Sequence, residues 1–190
     1  MQRMVFAFVS IFIWCSVYAK SALVVVAPHK FMDSEYKNTV RALKRAGIEV
    51  HCGTIHGKVA KGSYGMKLRC EVNLEKDPVK GFDAIVFIGG SGVPVFFENK
   101  HVLDLIRNSW NEGKVIAAIC WAPAILARAG ILKGKRVTSW RGAKGDLKRS
   151  GAIWVKKLVV TDGRIVTGSG PAAARSFGKA VARLLKETKR

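Results

Sequence analysis

Four cysteines and four histidines are the side chains of this 190-residue chain best suited to nucleophilic or metal chemistry, and Cys120 stands apart by its setting. It lies in Lys114–Gly130, K-V-I-A-A-I-C-W-A-P-A-I-L-A-R-A-G. Val115–Ile119 is an unbroken run of small and β-branched apolar residues, which suits a strand covered on both faces, and Ala122–Ala129 reads as a helix stopped by Gly130. The thiol is therefore expected where a buried strand turns into a helix. Unpaired backbone N–H groups at a helix start, together with the helix dipole, favour a thiolate, so the position predicts a lowered thiol pKa and a nucleophile. The same position also suits a small buried core residue, and the segment alone leaves both uses open.

The remaining candidates form no metal constellation, and no metal or other cofactor is expected. The cysteines and histidines lack zinc-type spacing, and the glycine-rich pieces have neither a phosphate-loop Lys-Ser/Thr nor a G-x-G-x-x-G opening a helix. Gly89–Gly92 is better read as backbone able to hold an oxyanion than as a nucleotide cradle. His29 ends the first strand and is the one histidine placed to approach Cys120; it equally suits a surface loop. His51, His56 and His101 read as peripheral.

The elements that must position these groups follow from periodicity. Ala22–Ala27 is a buried strand ending at Pro28, and Asp33–Ala46 is an amphipathic helix stopped by Gly47. Ile48–Cys52 is a second strand. Met66–Leu74 alternates like a strand, which predicts a small hairpin within residues 53–80. Phe82–Ile88 is a buried strand running into Gly89, Gly90, Ser91 and Gly92, and His101–Glu112 is helical. Arg136–Ser139 is a short strand, Leu158–Thr161 and Arg164–Thr167 form a hairpin about Asp162-Gly163, and Ala172–Lys186 is the closing helix. Strands alternating with helices predict an α/β fold: a three-layer, flavodoxin- or Rossmann-like sandwich with a mostly parallel sheet and helices on both faces. Ligands of such folds sit at the carboxyl ends of strands near a topological switch point, where Pro28–Glu35, Gly89–Gly92 and Cys120–Pro123 all end.

Met4–Ala19 is apolar on every side, is preceded by Arg3 and ends in small residues at Val17 and Ala19. This reads as an export signal over residues 1–19, cleaved after Ala19, ahead of one domain over 20–190; an uncleaved membrane anchor is the alternative, although sixteen residues fall short of the roughly 20 that span a bilayer. Export removes Cys15. Cys52 and Cys70 are then the natural disulfide pair, with Cys120 left free. The chain carries 33 Lys+Arg against 13 Asp+Glu. Without residues 1–19, whose only charge is Arg3, 32 against 13 leaves +19. The basic residues are spread along the chain, as for a solvated basic surface that makes non-specific contact with polyanions and has no specific nucleic-acid site.

The chain also resembles the DJ-1/PfpI superfamily, whose signatures appear here in order: Glu35 within F-M-D-S-E, a strand ending F-I-G-G, the elbow A-A-I-C, then L-K-G-K-R-V-T and V-T-G-S-G-P. The resemblance implies Cys120 as nucleophile, Glu35 as its carboxyl partner, and the backbone N–H groups of Gly90 and Trp121 as oxyanion donors. It implies homo-oligomers, and small carbonyl or acyl compounds as substrates. A carboxylate beside a thiolate is a like-charge pair, so Glu35 is expected to be pushed towards the neutral form. The peptidase-type pattern is incomplete. The residue after the cysteine is Trp121 rather than His, S-G-V-P follows Gly90 in place of an acidic residue, and Trp140 stands where the DJ-1 branch often has His. Trp121 and Trp140 suit an aromatic-walled pocket or core packing. Three functions follow: cofactor-free glyoxalase- or deglycase-type chemistry on reactive carbonyls, a cysteine hydrolase or peptidase, and a redox-sensing or chaperone-like protein without turnover.

Overall fold

The structure, a computed structural model, describes residues 19–188. Of the expected export signal, only Ala19 lies within the described residues. The apolar runs become a seven-stranded sheet: β1 (Ser21–Val25), β3 (Glu49–Thr54), β6 (Val72–Asn73), β7 (Ala84–Phe87), β8 (Val115–Ile119), β11 (Val159–Asp162) and β12 (Ile165–Gly168). Their order is β11-β12-β8-β7-β1-β3-β6, and every pairing is parallel except the β11–β12 hairpin. From β1 the chain moves outward to β3 and β6, then crosses back to β7 on the other side of β1. The direction of winding therefore reverses between β1 and β7, which puts the ligand-binding crevice of this fold class at their carboxyl ends.

Side chains on the central strands alternate between two cores, as the period of a strand requires. Ala22, Val24, Val86, Ala117 and Val166 face one layer with Leu43 of α1 (Asp33–Arg45) and Phe177, Val181 and Leu185 of α5 (Ala174–Glu187). Leu23, Val25, Phe87, Ile116 and Ile165 face the other, with Ile106 of α2 (Lys100–Asn111), Leu126 of α3 (Pro123–Arg128) and Leu147 of α4 (Lys144–Arg149). All these side chains are buried. The expected three-layer α/β sandwich is present.

The irregular parts differ from the sequence reading in instructive ways. Met66–Leu74 is not one strand: β5 (Lys67–Arg69) pairs antiparallel with β4 (Val59–Gly62), while Val72–Asn73 leaves to join the main sheet beside β3. Alternation continues through the break, so the pattern alone cannot reveal it. β2 (His29–Phe31), too short for any periodic signal, adds to β4 and completes a three-stranded sheet. The strand expected at Arg136–Ser139 is only β9 (Arg136–Val137), paired with β10 (Ile153–Trp154) outside the main sheet.

Candidate active site

Cys120 follows directly on β8, with φ at +65°. That is left-handed backbone, uncommon for a residue bearing a Cβ, and it forms the sharp turn that lifts a nucleophile off the end of a strand. Two hydrogen bonds fix the turn: the Cys120 N–H donates to the Gly168 carbonyl at the end of β12, and its carbonyl accepts from Trp140 N–H, both at 2.8 Å. The free thiol is partly buried.

Glu35 reaches the same point from the first turn of α1 and has no exposed surface. Gly89 N–H donates to its Oε2 at 3.0 Å. The Cys120 thiol is the carboxyl's side-chain partner, and Oε1 is buried with no hydrogen-bond partner among the described residues. Burial is the main reason the Glu35 pKa rises to about 7, with the contacts to Cys120 and Gly89 pulling the other way. The carboxyl is thus shifted towards its neutral form, in the direction the like-charge argument requires. The backbone N–H groups of Trp121 and Gly90 both hydrogen-bond the sulfur and favour its charged form.

The expected lowering of the Cys120 thiol is overturned. Burial first, then the charge and hydrogen bonding of Glu35, push it up to about 12 against the two N–H groups. The helix offers little help. α3 begins three residues after Cys120, is six residues long and has Pro, which lacks an N–H, at its first position. Sulfur and carboxyl thus share one site in which two negative charges are strongly disfavoured, and the first proton leaves the pair near neutrality.

Two groups make this contact feasible: Gly89, read from the sequence only as oxyanion backbone, and Asp33, which the sequence reading does not single out. A Cβ on Gly89 would lie 2.4 Å from Cys120 Cβ and 2.7 Å from Glu35 Oε2, so only glycine lets the strand end pass between acid and nucleophile. The doubled glycine of F-I-G-G was a signal for it. Asp33 is the other. Its carboxylate accepts from the N–H groups of Tyr64 and Met66 at 3.1 and 2.8 Å, tying the β4–β5 turn to the start of α1 two residues before Glu35. Gly90, at φ +121°, bridges to Phe31, and Met32 N–H donates to the Gly89 carbonyl at 2.9 Å, so the segment entering α1 is laced to the glycine loop.

His29 is not brought into the site. It is exposed on β2, and no hydrogen bond or ion pair among the described residues joins it to Cys120 or Glu35. His51 and His56 pair with Glu49 and Glu75 at 2.9 and 3.3 Å, and His101 is exposed on α2. Cys52 and Cys70 are joined as a disulfide between β3 and the end of the hairpin, and Cys120 is free. Trp121 and Trp140 do form an aromatic wall, their ring centroids 5.4 Å apart. Phe97, unnoticed in the sequence, extends it with an edge contact to Trp121 at 6.1 Å.

A buried carboxyl and a thiol at a strained strand end, with glycine backbone between them, is an arrangement with known relatives, and residues 20–184 match the DJ-1/PfpI family. The chain belongs to that family. Within it, the chain is 32% identical to a deglycase of Pyrococcus horikoshii over 83% of this chain and 95% of the relative. It is 34% identical to the dj-1beta protein of Drosophila melanogaster over 86% and 88%. The crystal structure of that Drosophila protein superposes with a TM-score of 0.81, covering 90% of this chain and 95% of the other. A ThiJ/PfpI domain protein of Brachyspira murdochii superposes at 0.86 with 25% identity over 90% and 99%.

Proposed function

We propose that this DJ-1/PfpI protein is a cofactor-free enzyme acting on small reactive carbonyl compounds through a covalent adduct on Cys120. The carrying observation is the pairing of a thiol pushed up to about 12 with a carboxyl held at about 7 in one buried contact. Such a thiol is a poor nucleophile unaided, and Glu35 is the adjacent base, with a pKa matched to neutral pH. As sulfur bonds to the aldehyde carbon, Glu35 takes the S–H proton and the carbonyl π pair moves onto oxygen. The Gly90 and Trp121 N–H groups that touch sulfur at rest stand beside the developing oxyanion, which then takes the proton back from Glu35 to give a neutral thiohemiacetal. For methylglyoxal, moving the remaining C1 proton to C2 and the C1 hydroxyl proton to the C2 oxygen yields a lactoyl thioester, which water hydrolyses to lactic acid and the free thiol, so methylglyoxal plus water gives lactic acid overall. Relatives named deglycases support a substrate of this class. The aromatic wall of Trp121, Trp140 and Phe97 suits a small, partly apolar compound.

The test is turnover of methylglyoxal and of a peptide panel by the mature wild type and Cys120→Ser side by side. The expected result is methylglyoxal consumption that falls at least 100-fold in Cys120→Ser. Peptide cleavage without methylglyoxal turnover would replace this reading with the hydrolase one, and turnover unaffected by Cys120→Ser would end it.

A further inference from the structure

A cleft of about 510 Å³ is lined by Thr138, Ser139, Trp154, Leu158 and Ser169 and by four cations: Arg141, Lys144, Lys156 and Lys157. No acidic residue lines it. None of the four cations joins an ion pair among the described residues, so their charges are open to a ligand. Lys144 instead lies 4.8 Å above the Trp154 ring, which holds its charge at the cleft wall. Trp154 is itself fixed, its indole N–H donating to Ser139 Oγ at 3.1 Å.

Two walls of the cleft adjoin the nucleophile through the backbone. Ser169 follows Gly168, whose carbonyl receives the Cys120 N–H, and Ser139 precedes Trp140, whose N–H reaches the Cys120 carbonyl. One residue of chain beyond each hydrogen bond puts these serines within roughly 10 Å of Cys120. We infer that the cleft is a phosphoryl-binding subsite that holds the charged end of a phosphorylated aldehyde while its carbonyl reaches Cys120; the link to Cys120 rests on the carbonyl reading above. A phosphate monoester brings about two negative charges and several acceptor oxygens at neutral pH. Four cations match that demand, where a single carboxylate would need only one arginine; Thr138 and Ser139 give their hydroxyl protons to the Lys157 and Trp140 carbonyls and shape the wall instead.

The test has two arms. In the first, inorganic phosphate is titrated while the Trp154 indole N–H resonance is followed, in the wild type, in Cys120→Ser and in Lys156→Gln/Lys157→Gln. Phosphate is expected to move that resonance in the first two proteins, and the dissociation constant to rise at least tenfold in the double variant. In the second, kcat/KM is compared for erythrose 4-phosphate and methylglyoxal. The wild-type preference for the phosphorylated aldehyde is expected to fall at least tenfold in the double variant, through KM. A Trp154 resonance that responds no more to phosphate than to chloride at equal ionic strength, or equally in wild type and double variant, overturns the subsite. Phosphate binding without turnover of either aldehyde refutes the carbonyl reading and the link to Cys120, and leaves the anion site standing on its own.

Discussion

At Glu35 a proton is held against the pull of neutral water, and this has a measurable sign. Its folded pKa of about 7 lies above the ordinary 4.5, so between those values the folded protein binds more protons than the unfolded chain. The stabilisation is complete below about pH 4.5 and is lost as pH rises through 7, by on the order of 3 kcal/mol for a shift of this size. Urea unfolding from pH 4.5 to 8 is expected to show that decline in the wild type and a flatter profile in Glu35→Gln. The same variant removes the charge that pushes the Cys120 thiol up and leaves only a neutral amide oxygen as acceptor. Its alkylation profile is therefore expected to move to lower pH than that of the wild type, measured with iodoacetamide. An unmoved profile would mean that burial alone controls the thiol, and that Glu35 is not its base.

At the scale of elements, the site depends on how firmly the small sheet and α1 hold each other. Cys52 and Cys70 close a separation of 18 residues between β3 and the end of β5, and a cross-link over such a loop contributes about 3 kcal/mol. A Cys52→Ala/Cys70→Ala variant is expected to lose stability of that order in denaturant unfolding. Opening of the β4–β5 hairpin should also increase, read as faster amide exchange at Tyr64 and Met66, whose N–H groups bind Asp33. The well-buried elements were legible because burial on both faces leaves an unbroken apolar run, as in Val115–Ile119, and burial on one face leaves a periodic trace, as in Asp33–Arg45. β2, β6 and α4 were not. Two to six residues leave no period, and their place is decided by partners distant in sequence, such as Lys61 for His29 and Gly53 for Val72. Cys120 could be picked out by its place between a buried strand and a helix, and Glu35, Gly90 and Trp121 because the chain resembles a known family; the raised thiol could not, since desolvation depends on everything that surrounds it.

For the whole molecule, the excess of cations is a property of the surface rather than of the fold, and its spread along the chain hid a cleft on which four of them converge. Arg141 and Lys156 are separated by α4 and β10, and only the turn of the chain around Trp154 sets them on one cleft. The proposal that the chain is exported belongs to this scale as well. β1 begins at Ser21, two residues after the expected cleavage point, so removal of residues 1–19 leaves the first strand whole. The protein recovered outside the cytoplasm is expected to have an intact mass that starts at Lys20; a full-length mass would instead favour the anchored form.

The left-handed turn at Cys120 bears on how such a protein changes over generations. A residue with a Cβ costs about 1–2 kcal/mol there, and glycine does not. Cys120→Gly is therefore expected to melt above Cys120→Ala, the reverse of the usual order, in a thermal scan of the two inactive proteins. A copy of the gene released from any chemistry at position 120 is expected to drift towards glycine there.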